Sequence, residues 1–281
     1  MKIMARKQFG DLHPICYNIA VEKEIFLRHI KNLFSKDPFA KTKSAEKLPA
    51  LIYEFRSNMI KRAPGVDLTT QLNKAENIRI AASYLNGIII RPGEVFSLWK
   101  TVGRVSKRKG YLEGRIISKK GLSVGVGGGL CNLGNTVNRM MLHSPLSLVE
   151  FHTHSDALAP DEGPRIPLAA GTSVRYNYVD YRCKNNTDQD FQLCIWCEGE
   201  DLCGELRAMR PLPNSYKLVE EDRHFRKEGE KYYNVSKLYR VVTDIETGAV
   251  TDKELIWDNH SEVMFDYSLI PAELIRETAQ I

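Results

Sequence analysis

The 281 residues are 43% hydrophobic and 27% charged, the balance of a globular chain long enough to bury a substantial core. No apolar run approaches the ~18 residues of a membrane-spanning helix. Asp11, His13, Asn18 and Glu22 break up any secretion signal, so a cytoplasmic protein with no transmembrane segment is expected.

The net charge of +5 is unevenly spread: residues 1–63 carry 13 Lys/Arg against 6 Asp/Glu, residues 100–120 carry 8 against 1, and residues 121–281 carry 16 against 25. The first ninety residues read as helices. Phe26, His29-Ile30 and Leu33-Phe34 recur at helical spacing, and so do Leu48, Leu51-Ile52, Phe55 and Met59; both stripes are read as core. Asn73 with Glu76 has capping-box spacing for a third helix, with Ala75, Ile78, Ala82 and Leu85 as its buried stripe and Asn86-Gly87 as its end.

From Pro92-Gly93 onward, glycines punctuate short strands. The basic stretch Lys100 to Lys120 has Tyr111 alone as an interleaved aromatic, so it is read as a solvated hairpin surface, with no nucleic acid as partner. A glycine-rich turn at 125–129 leads into a helix over 131–143, with Leu133, Val137, Met140 and Met141 on one face. Ser147 to His154 reads as a strand. Beyond Gly171 the pattern is almost wholly β: Ser173 to Arg182, a turn at Asn185 to Asp188, Phe191 to Glu198, Leu202 to Arg210, and a hairpin of Tyr232 to Thr243 with Val250 to Trp257. The fold class is therefore α+β: a helical N-terminal region (1–91), then a mixed, mostly antiparallel β domain (92–281) with one central helix after the Gly-rich loop. Whether these are two domains or one stays open.

The strongest chemical feature is that turn. Successive glycines allow close approach of a ligand to the main chain. A cysteine in the first turn of a helix lies near free N–H groups and the positive end of the dipole, which favour a thiolate nucleophile and an oxyanion site. Cys131 has that position, with Asn132 as a further donor; the alternative is a small residue at a tight packing point. The Gly-Lys-Ser/Thr ending of a phosphate loop is missing. His152 and His154 share a strand face, which suits two ligands of one metal with Asp156 or Asp161, a general base for Cys131, or two solvent-facing side chains. Cys194, Cys197 and Cys203 lie on strands whose alternation separates them, so they are read as plain thiols and not as a zinc site. Trp99, Trp196 and Trp257 are core or sugar-facing.

The strings GEVFSLWKTVGR (93–104), GVGGGLCNLGNT (125–136), HTHSDALAPDEG (152–163), GTSVRYNYVDYRCKNNTD (171–188) and DNHSEVMFDYSLIP (258–271) resemble the VanW family. The resemblance places a Gly-Gly-Gly-x-Cys motif on Gly127, Gly128, Gly129 and Cys131 and a His-Ser motif on His154 and Ser155; the family often has Gln where this chain has Asn132. It implies a link to glycopeptide resistance and peptidoglycan metabolism. On that reading a cell-wall precursor, or a glycan or peptide ligand, is acted on by Cys131 as nucleophile and His154 as base, oriented by Asp156 or Asp161, with no cofactor. A non-catalytic binding module lined by Trp99, Lys107 and Arg108, and a metal-dependent hydrolase using His152 and His154, are the alternatives.

Overall fold

The first helix, α1 (Pro14–Leu33), begins where the His13 ring accepts the Ile15 N–H at 3.2 Å and Pro14 presets a helical φ. The structure, a computed structural model, describes residues 13–62, 67–118, 121–154, 156–157 and 171–276. The α1 stripe expected in the core faces outward: Phe26, Leu33 and Phe34 are 63%, 79% and 77% exposed. Its inward side is fastened largely by polar groups. Arg28 forks onto the Glu150 carboxylate, Arg182 donates to Asn32 Oδ1 at 2.8 Å, and Arg175 donates to the Tyr17 hydroxyl at 2.6 Å.

The Leu48–Met59 stretch is not helical. It forms strand β1 (Ala50–Asn58), antiparallel to β10 (Asp201–Ala208), and a bulge between Leu51 and Tyr53 shifts the alternation by one residue. That shift mimics a spacing of three to four. Helix α2 (Leu68–Leu85) starts at Asp67, whose carboxylate accepts the Thr69 and Thr70 N–H groups. Asn73 is thus inside the helix, and its amide donates to the Glu113 carbonyl. The expected stripe of Ala75, Ile78, Ala82 and Leu85 is buried.

The main sheet has the order β1–β10–β9–β2, with β2 (Ile88–Ile90) and β9 (Phe191–Glu198), so strands from both sides of residue 91 share it. Helices α2 and α4 (Leu130–Leu142) pack on this sheet and on each other. Ile78, Leu85, Leu133, Val137, Met140, Phe191 and Leu206 form the core between them. A smaller sheet joins β3 (Val95–Ser97), β8 (Arg182–Lys184) and β6 (Ser147–Glu150), with the short helix α3 (Leu98–Val102) after β3. Strands β4 (Glu113–Ser118) and β5 (Gly121–Val126) form the hairpin before the glycine turn.

The stretch Ser173 to Arg182 is no continuous strand: it turns at Tyr176–Tyr178, where Asn177 has φ 60°. At the C-terminal end, β11 (Asn214–Glu228), β12 (Lys231–Asp244) and β13 (Val250–Val263) make a long meander, flanked by β14 (Ile275–Arg276) and β7 (Asp156–Ala157). The β12–β13 hairpin was expected; β11 carried no such expectation. Arg240 on β12 reaches back to donate to the carbonyls of Ser144 (2.9 Å) and Leu146 (2.8 Å), just past the end of α4. Among the described residues no helix is long and apolar enough to cross a membrane.

Candidate functional site

The glycine turn is shaped by the chain's own backbone. A Cβ on Gly128 would stand 2.1 Å from the Gly114 carbonyl carbon, so the turn crosses the β4 strand at a distance open to glycine alone. Asn77 pins the crossing, donating to the carbonyls of Gly128 and Leu112 at 3.0 Å and accepting the Leu112 N–H at 2.8 Å. Gly127 (φ 77°) and Gly129 (φ 93°) need the left-handed region, and a Cβ on Gly129 would collide with the Lys74 side chain. No side chain caps the first turn of α4, which Gly129 opens.

Cys131 occupies the second position of α4 and is partly buried. Its thiol lies 3.8 Å from the Val174 carbonyl. Burial pushes the Cys131 thiol above its ordinary value, opposed by the Val174 hydrogen bond, the Arg175 charge and its own N–H. Burial therefore works against the thiolate that a helix N-terminus would favour.

The α4 face carrying Cys131 continues through Gly134 and Asn135 and lies against residues 171–174. Gly134 abuts Val174 and Thr172, and Asn135 Oδ1 accepts the Thr172 N–H. On the far side, residues 152–154 pair with the same segment: Thr153 bridges Thr172, the Ser173 N–H donates to the His152 carbonyl (2.8 Å), and the His154 N–H to the Gly171 carbonyl (3.4 Å). The Asn135 amide and the His154 ring both border Gly171, where a Cβ would stand 3.1 Å from Asn135 Nδ2 and 3.6 Å from His154 Cδ2. Asn135 was not singled out in the sequence; its spacing of four from Cys131 puts both on one helix face.

His152 is directed elsewhere. It is exposed and shares a hydrogen bond with Glu150 (3.0 Å). Glu150 is held at about 2: burial opposes its ionisation, but His152, Arg28 and the Asp180 N–H more than offset that. Trp99 is 3% exposed and its indole donates to the Val179 carbonyl at 2.9 Å, so it is core and not the lining of a groove. Asn132 lies within α4 with its Oδ1 buried and unpartnered among the described residues. Lys107 pairs with Glu113 at 2.7 Å. Ser155, Asp161 and the side chain of Asp156 lie outside the described residues, among which no three His, Cys, Asp or Glu converge as metal ligands. A concavity of about 550 Å³ on the β11–β13 face is lined by Asp222, His224, Lys237 and His260 and shares no residue with the Cys131 region.

The fold and this site define an α+β protein in which a glycine crossing feeds a cysteine-bearing helix. Residues 73–207 match the family model described as "VanW like protein". The chain is 26% identical over 227 residues to the vancomycin B-type resistance protein VanW of Enterococcus faecalis, covering 81% of this chain and 82% of that one. It is 29% identical over 117 residues to the uncharacterized protein YoaR of Bacillus subtilis, covering 42% of this chain and 37% of that one. The chain is thus similar to VanW proteins over residues 73–207, and to a protein named for vancomycin B-type resistance over most of its length. No solved structure matches it.

Proposed function

We propose that the protein is a thiol-dependent acyl transferase or hydrolase acting on a peptidoglycan precursor. The observation that carries this reading is that one segment, residues 171–174, is bordered by all three side chains: the Cys131 thiol at the Val174 carbonyl, and Asn135, one turn along the same helix face, and His154 at Gly171. Cys131 Sγ attacks a substrate carbonyl carbon as its proton passes to His154; the imidazolium then protonates the departing amine, and water or an acceptor amine releases the acyl group. Asn135 orients the imidazole. The N–H groups of the uncapped first turn of α4 stabilise the oxyanion. Burial raises the thiol, so in this reading the imidazole activates it within the substrate complex. The cell-wall substrate rests on the family link.

The test is mass spectrometry of the protein incubated with a soluble precursor that carries its peptide stem. An acyl adduct on Cys131, lost in Cys131→Ala and slowed at least tenfold in His154→Ala with the fold intact, supports the reading; a turnover-competent Cys131→Ala overturns it. In the free protein, iodoacetamide labelling of Cys131 is expected to have its midpoint above the ~8.5 of a free thiol. A midpoint below that value would contradict the burial effect. The same raised thiol favours a second reading, a binding module in which Cys131 only packs. That reading predicts unchanged precursor affinity in Cys131→Ala and no turnover by the parent protein.

A further inference from the structure

Helix α1 is amphipathic with its sides reversed. The face toward the body holds Arg28 on Glu150, Asn32 on Arg182 and Tyr17 on Arg175, with Ile25 as its buried aliphatic residue. The opposite face carries Ile15, Ile19, Phe26, Ile30 and Leu33, all exposed. At 100° per residue these fall within a sector of about 60°, and they run for roughly 27 Å along the helix. Phe34 extends the stripe past the last turn at 77% exposure. Soluble monomers seldom leave a contiguous apolar strip of this length in water.

The charge around the strip identifies what covers it. Lys23 borders it, and Lys31, Lys36 and Lys41 follow at its C-terminal end; all four are exposed, and none is held by a carboxylate among the described residues. Lys41 lies close enough to Lys100 for their charges to repel. Arg104 grips Glu22, drawing the basic 100–109 loop to the side of α1. Members of both basic stretches, Lys23 to Lys41 and Lys100 with Arg104, are therefore tied to α1 or to the segment that follows it, while the acidic excess belongs to residues 121–281. A second copy packed parallel along α1 would bring these lysines against one another. An anionic bilayer surface meets both the strip and its rim.

We propose that α1 docks the protein on an anionic phospholipid bilayer, lying in the plane of the interface with Ile15, Ile19, Phe26, Ile30, Leu33 and Phe34 among the acyl chains and the lysines at the headgroups. This is independent of the reaction assigned to Cys131. The experiment is flotation of the full chain with vesicles of phosphatidylglycerol and phosphatidylcholine, and with vesicles of phosphatidylcholine alone. The expected result is binding to the anionic vesicles that weakens with salt. It falls at least tenfold in the exposed pair Phe26→Glu/Leu33→Glu and several-fold in Lys23→Glu/Lys31→Glu, with circular dichroism unchanged. Absence of binding to anionic vesicles, or equal binding by the Phe26→Glu/Leu33→Glu protein, overturns the proposal. A lipid-free dimer that dissociates in that variant assigns the strip to a second copy, and lipid binding seen only after removal of residues 2–12 assigns it to that segment; each overturns the docking of the intact chain.

Discussion

Helices α1 and α2 are of similar length, 20 and 18 residues, and both carry apolar residues at helical spacing, yet they meet opposite fates. In α2 the stripe of small and branched residues, Ala75, Ile78, Ala81 and Ala82, lies flat against β9 and α4, and its polar members Asn77 and Gln71 find partners within the fold. In α1 the body offers charged and hydroxyl groups, so the helix turns its polar side inward and leaves its larger apolar residues outside. Amphipathicity indicates that a helix has two sides. The surface that receives it decides which side is buried.

This contrast can be broken at three points. Ile78→Ala, at a fully buried α2 position, should cost about 2–5 kcal/mol in urea denaturation, because a cavity remains between helix and sheet. A cost below about 1 kcal/mol would mean that α2 is not part of the cooperative core. The second point is the Arg28–Glu150 fastening of α1. Glu150 titrates at about 2 in the fold, below an unfolded carboxylate, so its contribution of roughly 3 kcal/mol is present at neutral pH and lost as pH falls from about 5 towards 2. Stability measured at pH 7 and pH 3 should therefore fall more steeply in the parent protein than in Glu150→Gln; parallel losses would remove Glu150 from the acid response. The smallest effect belongs to the outer face of α1, where Phe26→Ala should change stability by no more than about 0.5 kcal/mol in the same denaturation. A larger loss would show that the face is covered by the chain itself.

Much of the β architecture was legible, because alternation and turn residues act locally: Phe191 to Glu198 and the β12–β13 hairpin stand where the sequence put them. The Leu48–Met59 stretch was misread because the bulge at Leu51/Tyr53 gives a strand the spacing of a helix. The α2 start was misplaced because Asp67 caps it ahead of the Asn73/Glu76 pair. At the candidate site the glycine turn and Cys131 were evident, but not the purpose of Gly128, since Gly114 is its neighbour only after the β4–β5 hairpin has formed. Asn135 escaped notice for the same reason. Its role depends on Thr172 and Gly171, which lie more than thirty residues along the chain.

Arg240 bears on where this protein ends as a working unit. The stretch matched by the family model closes at residue 207, but the carbonyls of Ser144 and Leu146, on residues 0% and 1% exposed, take their donor from β12, beyond that boundary. A fragment cut at residue 207 would leave two buried acceptors without that guanidinium at the trailing end of the helix that begins with Leu130 and Cys131. The C-terminal meander thus serves as a buttress for the cysteine helix from outside the stretch that the family model matches.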